Sequence, residues 1–194
     1  MDNIEFKSSK NFIDIDYVLD VLNVRNVDSF MDIGCGDGHV VIEVSKLNKD
    51  AFIYAVDQSD DVINYVNSKI KELDISNIEV IQSNVDKHID CEDNKVDLIL
   101  MINVFHEFIT ERDKYNAISE CNRVLKDNGK IAIIDFKKVP TFQGPPMKLR
   151  LSHNELEDYF SKQGFSLVYL NESIGTCVEE GYSHYLSVFK KYNF

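Results

Sequence analysis

A glycine-rich turn directly after a short apolar run constrains the fold of this 194-residue chain more than any other feature. The run Ser29-Phe30-Met31-Asp32 is typical of a buried strand, and glycines at positions 34, 36 and 38 end it. Glycine adopts positive φ angles and lets a ligand approach the backbone without meeting a Cβ atom. The apolar residues that follow have helical spacing: Val40, Val41, Val44 and Leu47. The pattern therefore predicts a strand, a tight turn suited to a ligand, and a helix.

The same alternation continues along the chain and predicts an α/β fold. Seven segments are typical of strands: 29–32, 51–57, 78–81, 96–102, 130–136, 165–170 and 182–189. Helices are expected after Gly38, from Ser59 or Asp60 to Leu73, from Thr110 to Leu125, and from Ser152 to Gln163. Strand-then-helix order implies parallel strands in a doubly wound sheet with helices on both faces. The last two strands lack a helix between them, which favours an antiparallel C-terminal strand. We expect one domain over residues 1–194.

Composition and charge limit the function. The formal net charge is −12, and the nearest approaches to a basic cluster are Lys137-Lys138 and Lys190-Lys191. An acidic surface repels a phosphate backbone, which favours a small-molecule partner over a nucleic acid. No segment approaches the roughly 20 apolar residues of a membrane span. The segment 1–5 carries no basic run before an apolar one, so no secretory signal is expected and a cytoplasmic location is predicted.

No metal site or disulfide framework is predicted. The four cysteines lie far apart without a Cys-x-x-Cys pair, which indicates reduced thiols: Cys35, Cys91, Cys121 and Cys177. His153 and His184 have no partner at metal-ligand spacing.

The spacing of the glycines separates this turn from the turn of dinucleotide-binding dehydrogenases. The dehydrogenase pattern is Gly-x-Gly-x-x-Gly around a pyrophosphate. Here the third glycine comes one residue early, and His39 stands where it would be. Asp32, at the end of the strand, would repel a pyrophosphate and attract the cationic amino group of a methionine moiety. Asp57 ends the next strand, where a carboxylate can accept hydrogen bonds from both hydroxyls of a ribose.

With these motifs the sequence resembles the class I S-adenosylmethionine (SAM)-dependent methyltransferases, over nearly its whole length. Asp32 to Gly38 matches the first motif of that family, and Val56-Asp57 matches the second. Ser83-Asn84-Val85 takes the place of the third, usually Gly-Asp-Ala, and 96–101 resembles the fourth. Arg123 to Lys130 is similar to a structural element, with Asp127-Asn128 in place of Pro-Gly. The resemblance implies a Rossmann-like seven-stranded sheet and SAM as the cofactor.

The resemblance also implies the residues that bind the cofactor. At Gly34 and Gly36 the cofactor would approach the backbone of the turn. Asp57 and the adjacent Gln58 would bind the ribose. Asn84 replaces the usual aspartate, but its amide oxygen can still accept a hydrogen bond from the adenine amino group. The amide of Val85 would bond the adenine ring. Carbonyl groups from Met101 to Asn103 would hold the methionine ammonium, near Asp32.

More narrowly, the chain resembles the ubiquinone/menaquinone C-methyltransferase-like branch, whose members often act on small molecules. Val104-Phe105-His106-Glu107-Phe108 falls where that branch has a Val-Leu-His-His-Leu-like run. His106 is the candidate general base, since imidazole exchanges protons near neutral pH. The alternative is that His106 belongs to a packing motif and that Glu107 is a solvated or capping charge. The family has no obligatory catalytic residue.

Other assignments stay open at this point. Residues 139–150 look like a loop on the acceptor side, in which Arg150 could pair with an anionic substrate or simply belong to a connection. An RNA or protein methyltransferase would share every cofactor motif. Met101-Ile102-Asn103-Val104 lacks the prolines that accompany methylation of amino groups on bases, which lowers the nucleic-acid alternative. A non-catalytic SAM-binding subunit is the remaining alternative.

Overall fold

A computed structural model describes residues 8–192 of the chain. The segment 1–5, on which the expectation about a secretory signal rests, lies outside the described residues. The described helices are α1 (Ile15–Val21), α2 (His39–Leu47), α3 (Asp60–Glu72), α4 (Glu111–Val124) and α5 (His153–Ser161). The described strands are β1 (Ser29–Ile33), β2 (Phe52–Asp57), β3 (Ile78–Gln82), β4 (Val96–Ile102), β5 (Leu125–Phe136), β6 (Phe165–Val178) and β7 (Gly181–Lys191).

The strands form one seven-stranded sheet in the order β3-β2-β1-β4-β5-β7-β6. The first five strands are parallel, whereas β7 is antiparallel to both β5 and β6. This confirms the predicted fold class. The strand order reverses between β1 and β4, and in doubly wound sheets ligands bind outside the carboxyl ends of the strands at that point.

Helices cover both faces of the sheet because the strand side chains alternate between two cores. Leu98 and Leu100 of β4 belong to a buried cluster with apolar residues of α1, α2 and α3. Ile99 and Met101 of the same strand belong to a second cluster, with residues of α4 and α5. A strand buried on both faces has a nearly continuous apolar sequence, as 96–102 does.

Two predicted helix starts are confirmed in atomic detail. Thr110 accepts a hydrogen bond from the backbone N–H of Asp113, and the carboxylate of Asp113 accepts one from the N–H of Thr110. Ser152 and Glu155 form the same reciprocal capping box at the start of α5. Ser59 takes the cap position of α3, but its side chain makes no capping hydrogen bond.

The fifth strand begins earlier than the sequence predicts. A helix to Leu125, a turn and a strand from Lys130 were expected, whereas β5 already starts at Leu125. Leu125 pairs with Val96, and Lys130 pairs with Leu98. The residues between them therefore bulge out of the ladder, and the predicted turn lies inside a strand.

The C-terminal strands are also longer than predicted. A connection of about a dozen residues was expected after residue 170, but β6 continues to Val178 and β7 begins at Gly181. Register shifts interrupt the pairing of β6 with β7 at three places. Each shift resets the alternation of inward and outward side chains, which hides the strand from pattern analysis.

All four cysteines are free thiols. Within residues 8–192, no helix is long and apolar enough to cross a bilayer.

Candidate active site

The glycine turn joins β1 to α2 in the conformation that its sequence predicts. Gly34, Gly36 and Gly38 have φ angles of 73°, 51° and 72°. The N–H groups of Gly34 and Cys35 donate to the carbonyl of Val56 at 2.8 and 3.1 Å, which ties the turn to the end of β2. A Cβ atom on Gly34 would lie 2.3 Å from a methyl carbon of Val104. Only glycine therefore fits this position without displacing the segment after β4.

Asp57 lies beside the turn, at the carboxyl end of β2. Its Oδ2 accepts a hydrogen bond from the N–H of Gly36 at 3.3 Å, and its Oδ1 accepts one from the N–H of Ser59 at 3.0 Å. A carboxylate has about four acceptor sites, so Asp57 retains acceptor capacity beyond these two bonds. The side chain is half-buried and faces a cavity.

Three carboxylates gather around the turn. Burial raises the pKa of Asp32 well above its ordinary range, and the charges of Asp57 and Asp37 add to the rise. Partial burial opposes ionisation of Asp37 as well, but hydrogen bonds from His39 and the charge of Lys10 outweigh it and lower its pKa. Asp37 is thus paired with His39 and Lys10, whereas no hydrogen bond to the Asp32 carboxylate is present among residues 8–192. Asp32 is a buried acid suited to a cation from outside.

A cavity of about 280 Å³ opens at the carboxyl ends of the strands. It brings together five of the residues predicted to bind the cofactor: Gly34, Asp57, Gln58, Asn84 and Val85. Four further predicted residues do not line it: Asp32, Gly36, Met101 and Asn103. Asp32 and Met101 are buried in β1 and β4, within the sheet that forms the base of the site.

The sequence did not indicate one wall of this cavity. Glu107, Phe108 and Ile109 follow β4 and line the cavity together with Asp113 of α4. Glu107, for which a solvated or capping role was the alternative, is exposed and lies on that wall. The capping box at Thr110 was the sequence signal that could have indicated this wall. A helix that starts there leaves 103–109 as a loop at the carboxyl edge of the sheet.

Lys114 fixes this wall from beneath. It is buried on α4, and its ammonium donates to the carbonyls of Phe108 and Ile109, the latter at 3.3 Å. Burial lowers the pKa of Lys114, although the charges of Asp113 and Glu111 oppose that shift. A buried lysine that holds two carbonyls is costly to replace, since both carbonyls would lose their donor.

Replacing Lys114 by methionine is expected to loosen the wall. Methionine keeps an unbranched stem but no donor, so the free energy of unfolding should fall by about 1–3 kcal/mol. Hydrogen exchange at the amides of 105–109 should accelerate. Lys69→Met on the exposed face of α3 is the matched control and should leave both measurements unchanged. Unaltered exchange in Lys114→Met would contradict the anchoring role.

The end of β4 presents an unsatisfied acceptor. Asn103 has a φ of 58°, and its backbone N–H donates to the carbonyl of Ile134 at 2.8 Å. Its side-chain Oδ1 is buried and has no hydrogen-bond partner among the described residues. A buried acceptor without a donor is rare in folded proteins and costs free energy. A ligand with an ammonium group fits this atom, and the buried acid Asp32, on the strand that pairs with β4, fits the same charge.

His106 lies beyond the cavity and contacts Asp135 at the end of β5. Its Nδ1 lies 2.7 Å from Oδ1 of Asp135, and its backbone N–H donates to Oδ2 at 3.0 Å. The N–H of Phe136 also donates to Oδ1, at 2.7 Å. The His106 side chain is 12% exposed, and no described residue forms a hydrogen bond with its Nε2.

The proline-rich loop uses Arg150 internally. Arg150 is buried and donates to the carbonyls of Lys137, Val139 and Pro145 and to the hydroxyl of Thr141. Its guanidinium also lies 5.1 Å from the centre of the Phe136 ring. The structure therefore favours the connecting role of Arg150 over a pair with an anionic substrate.

No group of three or more histidine, cysteine, aspartate or glutamate side chains able to hold a metal ion is present within the described range 8–192.

Comparison with known proteins identifies the family. A family model described as "Methyltransferase domain" matches residues 26–181. A SAM-dependent methyltransferase from Aquifex aeolicus has a similar structure, with a TM-score of 0.80 and 27% identity over 95% of this chain and 92% of that one.

Curated relatives match over shorter stretches. 27-O-demethylrifamycin SV methyltransferase of Amycolatopsis mediterranei is 25% identical over 66% of this chain and 46% of its own length. N-methyltransferase 4 of Papaver somniferum is 29% identical over 41% of this chain and 22% of its own length. The chain spans less than half the length of these relatives. The glycine turn, the sheet order and the family match lead to one conclusion: this chain belongs to the class I SAM-dependent methyltransferases, whose cofactor is SAM.

Proposed function

We propose that the protein transfers the methyl group of SAM to a small-molecule acceptor by in-line displacement. The observation that carries this proposal is the cavity at the strand-order reversal, lined by Gly34, Asp57, Asn84 and Val85. It combines a backbone without a Cβ, a carboxylate with free acceptor sites and a side-chain amide. These groups match a nucleoside in size and chemistry.

The residues present fit SAM at both of its ends. Asp57 and Gln58 would bind the ribose hydroxyls, and Asn84 and Val85 would bind the adenine. The amino-acid end would lie on the glycine turn at Gly34 and Gly36. Its ammonium would meet carbonyls from Met101 to Asn103, the Oδ1 of Asn103 and the carboxylate of Asp32 on the neighbouring strand β1.

The chain contributes position more than reactive groups. SAM supplies a methyl group that is already activated on a sulfonium. The glycine turn and the anchored wall at 107–109 would hold the part of the cofactor that carries this methyl group against the acceptor. They would also exclude water. Alignment of this kind can contribute about 7–11 kcal/mol to a two-substrate step. His106 is the proposed base for an acceptor that must lose a proton.

A small molecule is the favoured acceptor. The net charge of −12 opposes a polyanionic partner. One relative is named for a methyl transfer to 27-O-demethylrifamycin SV. The ubiquinone-like branch and a cytoplasmic location stay predictions from the sequence. An RNA or protein acceptor and a non-catalytic SAM-binding subunit are the outcomes against which the proposal is tested.

The test combines two measurements on the same protein. Titration calorimetry should detect binding of SAM, and failure to bind would end the proposal. Radiolabelled SAM is then incubated with metabolite, RNA and protein fractions of a cell extract. Label in the metabolite fraction is the expected result. Label confined to RNA or protein would reassign the acceptor, and binding without transfer to any fraction would indicate a non-catalytic subunit.

The protonation of Asp32 should make SAM binding depend on pH. Because burial raises the pKa of Asp32 in the free protein, this acid holds its proton to higher pH than an ordinary aspartate. A bound cation favours the ionised carboxylate, so binding lowers the pKa and releases a proton. Affinity should therefore increase as pH rises towards the pKa of the free protein and level off above it.

Replacing Asp32 by asparagine tests this linkage. The variant should bind SAM at least about tenfold more weakly at neutral pH, since it lacks one charge-assisted contact. It should also release no proton on binding, which calorimetry in buffers of different ionisation enthalpy measures. Proton release that persists in Asp32→Asn would assign the effect to another group.

A further inference from the structure

We propose that the acceptor is an uncharged molecule with a phenol- or enol-type hydroxyl group, whose proton passes to Nε2 of His106 while Asp135 holds the opposite ring nitrogen. This inference rests on the proposed methyl transfer and concerns which atom receives the methyl group. It adds Asp135, the buried acid near the end of β5, as a positioning residue.

The contacts of Asp135 determine which nitrogen of His106 is free. Asp135 is buried, and its carboxylate receives three hydrogen bonds, from the backbone of His106, the backbone of Phe136 and the His106 ring. An ionised carboxylate only accepts hydrogen bonds, so Nδ1 of His106 must donate. In a neutral imidazole the other nitrogen then carries a lone pair. Nε2, which has no partner among the described residues, is the basic atom.

The position of this pair is that of the acceptor side. His106 lies two residues after Val104, whose methyl carbon occupies the space that a Cβ on Gly34 would need. Glu107, on the wall of the cavity, comes next. Asp135 ends β5, the neighbour of β4 in the sheet. The pair thus lies at the carboxyl edge of the sheet, at the ends of the strands that follow β1 in the sheet order, next to the cavity proposed for SAM.

A free basic nitrogen discriminates between kinds of acceptor. A neutral amine attacks without first losing a proton, and a thiol ionises without help near its own ordinary pKa of about 8.5. A hydroxyl oxygen must lose its proton as the new bond forms. A phenolic hydroxyl, with an ordinary pKa of about 10, is within reach of imidazole as a general base. The oxygen–hydrogen bond breaks with the proton going to Nε2, the oxygen–carbon bond forms, and the carbon–sulfur pair returns to sulfur.

One aromatic ring contacts His106, and two further rings pack in series behind it. The ring of His106 meets the Phe136 ring edge-on, with 6.3 Å between the two ring centres. The ring centre of His184 lies 4.0 Å from that of Phe136. Phe12 of the N-terminal segment stacks on His184 at 6.5 Å. A planar acceptor is the shape that such rings accommodate.

His184 gives an independent sign of a polar ligand. Its Nδ1 pairs with the hydroxyl of Ser183, but its buried Nε2 has no partner among residues 8–192. Burial lowers the pKa of His184 to about 4, so the ring is neutral at physiological pH. An uncharged polar atom of a ligand would relieve this unsatisfied nitrogen without introducing a charge.

The cations near the pair are already committed, which argues against an anionic acceptor. Arg150 is occupied by backbone and hydroxyl oxygens of its own loop. Lys137 lies beside Glu172, and Lys138 pairs with Glu155 at 2.6 Å. Of the charged and titratable groups here, Asp135 contacts His106, and neutral His184 interacts electrostatically with His106, Asp135 and the committed Arg150. Glu107 is the next residue in the chain. A second carboxylate would be buried among them without a partner.

The first test observes the imidazole directly and needs no acceptor. Nitrogen-15 NMR of the histidine rings should show His106 in the Nδ1–H tautomer in the unaltered protein. Asp135→Asn should change that tautomer. An asparagine amide that donates its N–H to Nδ1 makes Nδ1 an acceptor, so the ring proton moves to Nε2. An Nε2–H tautomer in the unaltered protein would overturn the proposal.

The second test measures transfer with defined acceptors. The probes are 4-methylphenol, catechol and a cyclic enol, each beside a carboxylated analogue, with the matching aryl amines and thiols. The neutral hydroxyl compounds should be methylated at least about tenfold faster than their carboxylated analogues, given the cost of burying an unpaired charge. His106→Gln should lower kcat by about 100-fold while SAM affinity stays unchanged.

Asp135→Asn should lower kcat with little change in KM, because the imidazole stays in place but presents the wrong nitrogen to the acceptor. Asp135→Glu, which keeps the carboxylate, should retain part of the kcat that Asp135→Asn loses. Asp158→Asn on the exposed face of α5 is the control and should match the unaltered protein. If SAM fails to bind, the proposed function itself is wrong. If SAM binds but the amines, thiols or carboxylates are preferred, or no hydroxyl compound is methylated, only this inference is overturned.

Discussion

Replacing Asp57 by alanine is expected to weaken SAM binding by at least about 100-fold, since two charge-assisted hydrogen bonds contribute about 1.5–3 kcal/mol each and tenfold in affinity corresponds to 1.4 kcal/mol. The carboxylate already accepts from the N–H groups of Gly36 and Ser59. Its loss therefore removes the proposed ribose contact and also releases the glycine turn. Titration calorimetry at fixed ionic strength measures the change.

Two further variants and an unfolding measurement separate the loss of the ribose contact from the release of the glycine turn. Asp57→Asn keeps one acceptor oxygen and should bind SAM with an affinity between those of the unaltered protein and Asp57→Ala. Asp61→Ala, on the exposed first turn of α3, should leave SAM binding unchanged. Thermal unfolding of Asp57→Ala without ligand reports any release of the turn. Unchanged SAM affinity in Asp57→Ala would remove Asp57 from the cofactor site.

The parts of the fold that sequence predicts are those set by neighbouring residues. The capping boxes at Thr110 and Ser152 begin α4 and α5 where expected, because each depends on residues three positions apart. The glycine turn follows from the same principle, since its backbone angles are local. A continuous apolar run such as 96–102 also identifies β4, because both faces of that strand are buried.

Other features depend on contacts between distant parts of the chain, and sequence analysis missed them. The early start of β5 and the length of β6 depend on register shifts against neighbouring strands. The pairing of His106 with Asp135 joins residues 29 positions apart. No sequence pattern links the two residues, and only the adjacency of β4 and β5 brings them together.

The cavity wall shows the same limit. The predicted residues that line the cavity each follow a strand in a recognisable motif. The opposite wall at 107–109 has no motif, and its placement depends on Lys114 from α4 beneath it. A lysine in a helical pattern normally indicates a solvated face, so its burial was not predictable.

Replacing Gly34 by alanine is expected to have the largest effect on folding. The new Cβ would lie 2.3 Å from a methyl carbon of Val104, at a φ of 73°. The left-handed backbone costs about 1–2 kcal/mol, and overpacking adds about 1–3 kcal/mol, so the free energy of unfolding should fall by about 2–5 kcal/mol. SAM binding should weaken as well, since the turn borders the cavity. Denaturant unfolding and calorimetry measure the two changes.

Gly164 provides a matched control because it isolates the backbone cost. Its φ is 82°, and no atom lies within 4 Å of a Cβ built there. Gly164→Ala should therefore lose only about 1–2 kcal/mol. Combining Gly34→Ala with Val104→Ala removes the methyl carbon and should restore the packing part of the loss but not the backbone part. Equal losses in Gly34→Ala and Gly164→Ala would show that the contact with Val104 is unimportant. A larger loss in Gly34→Ala that the second substitution relieves would establish that the glycine turn and the segment after β4 pack as one unit.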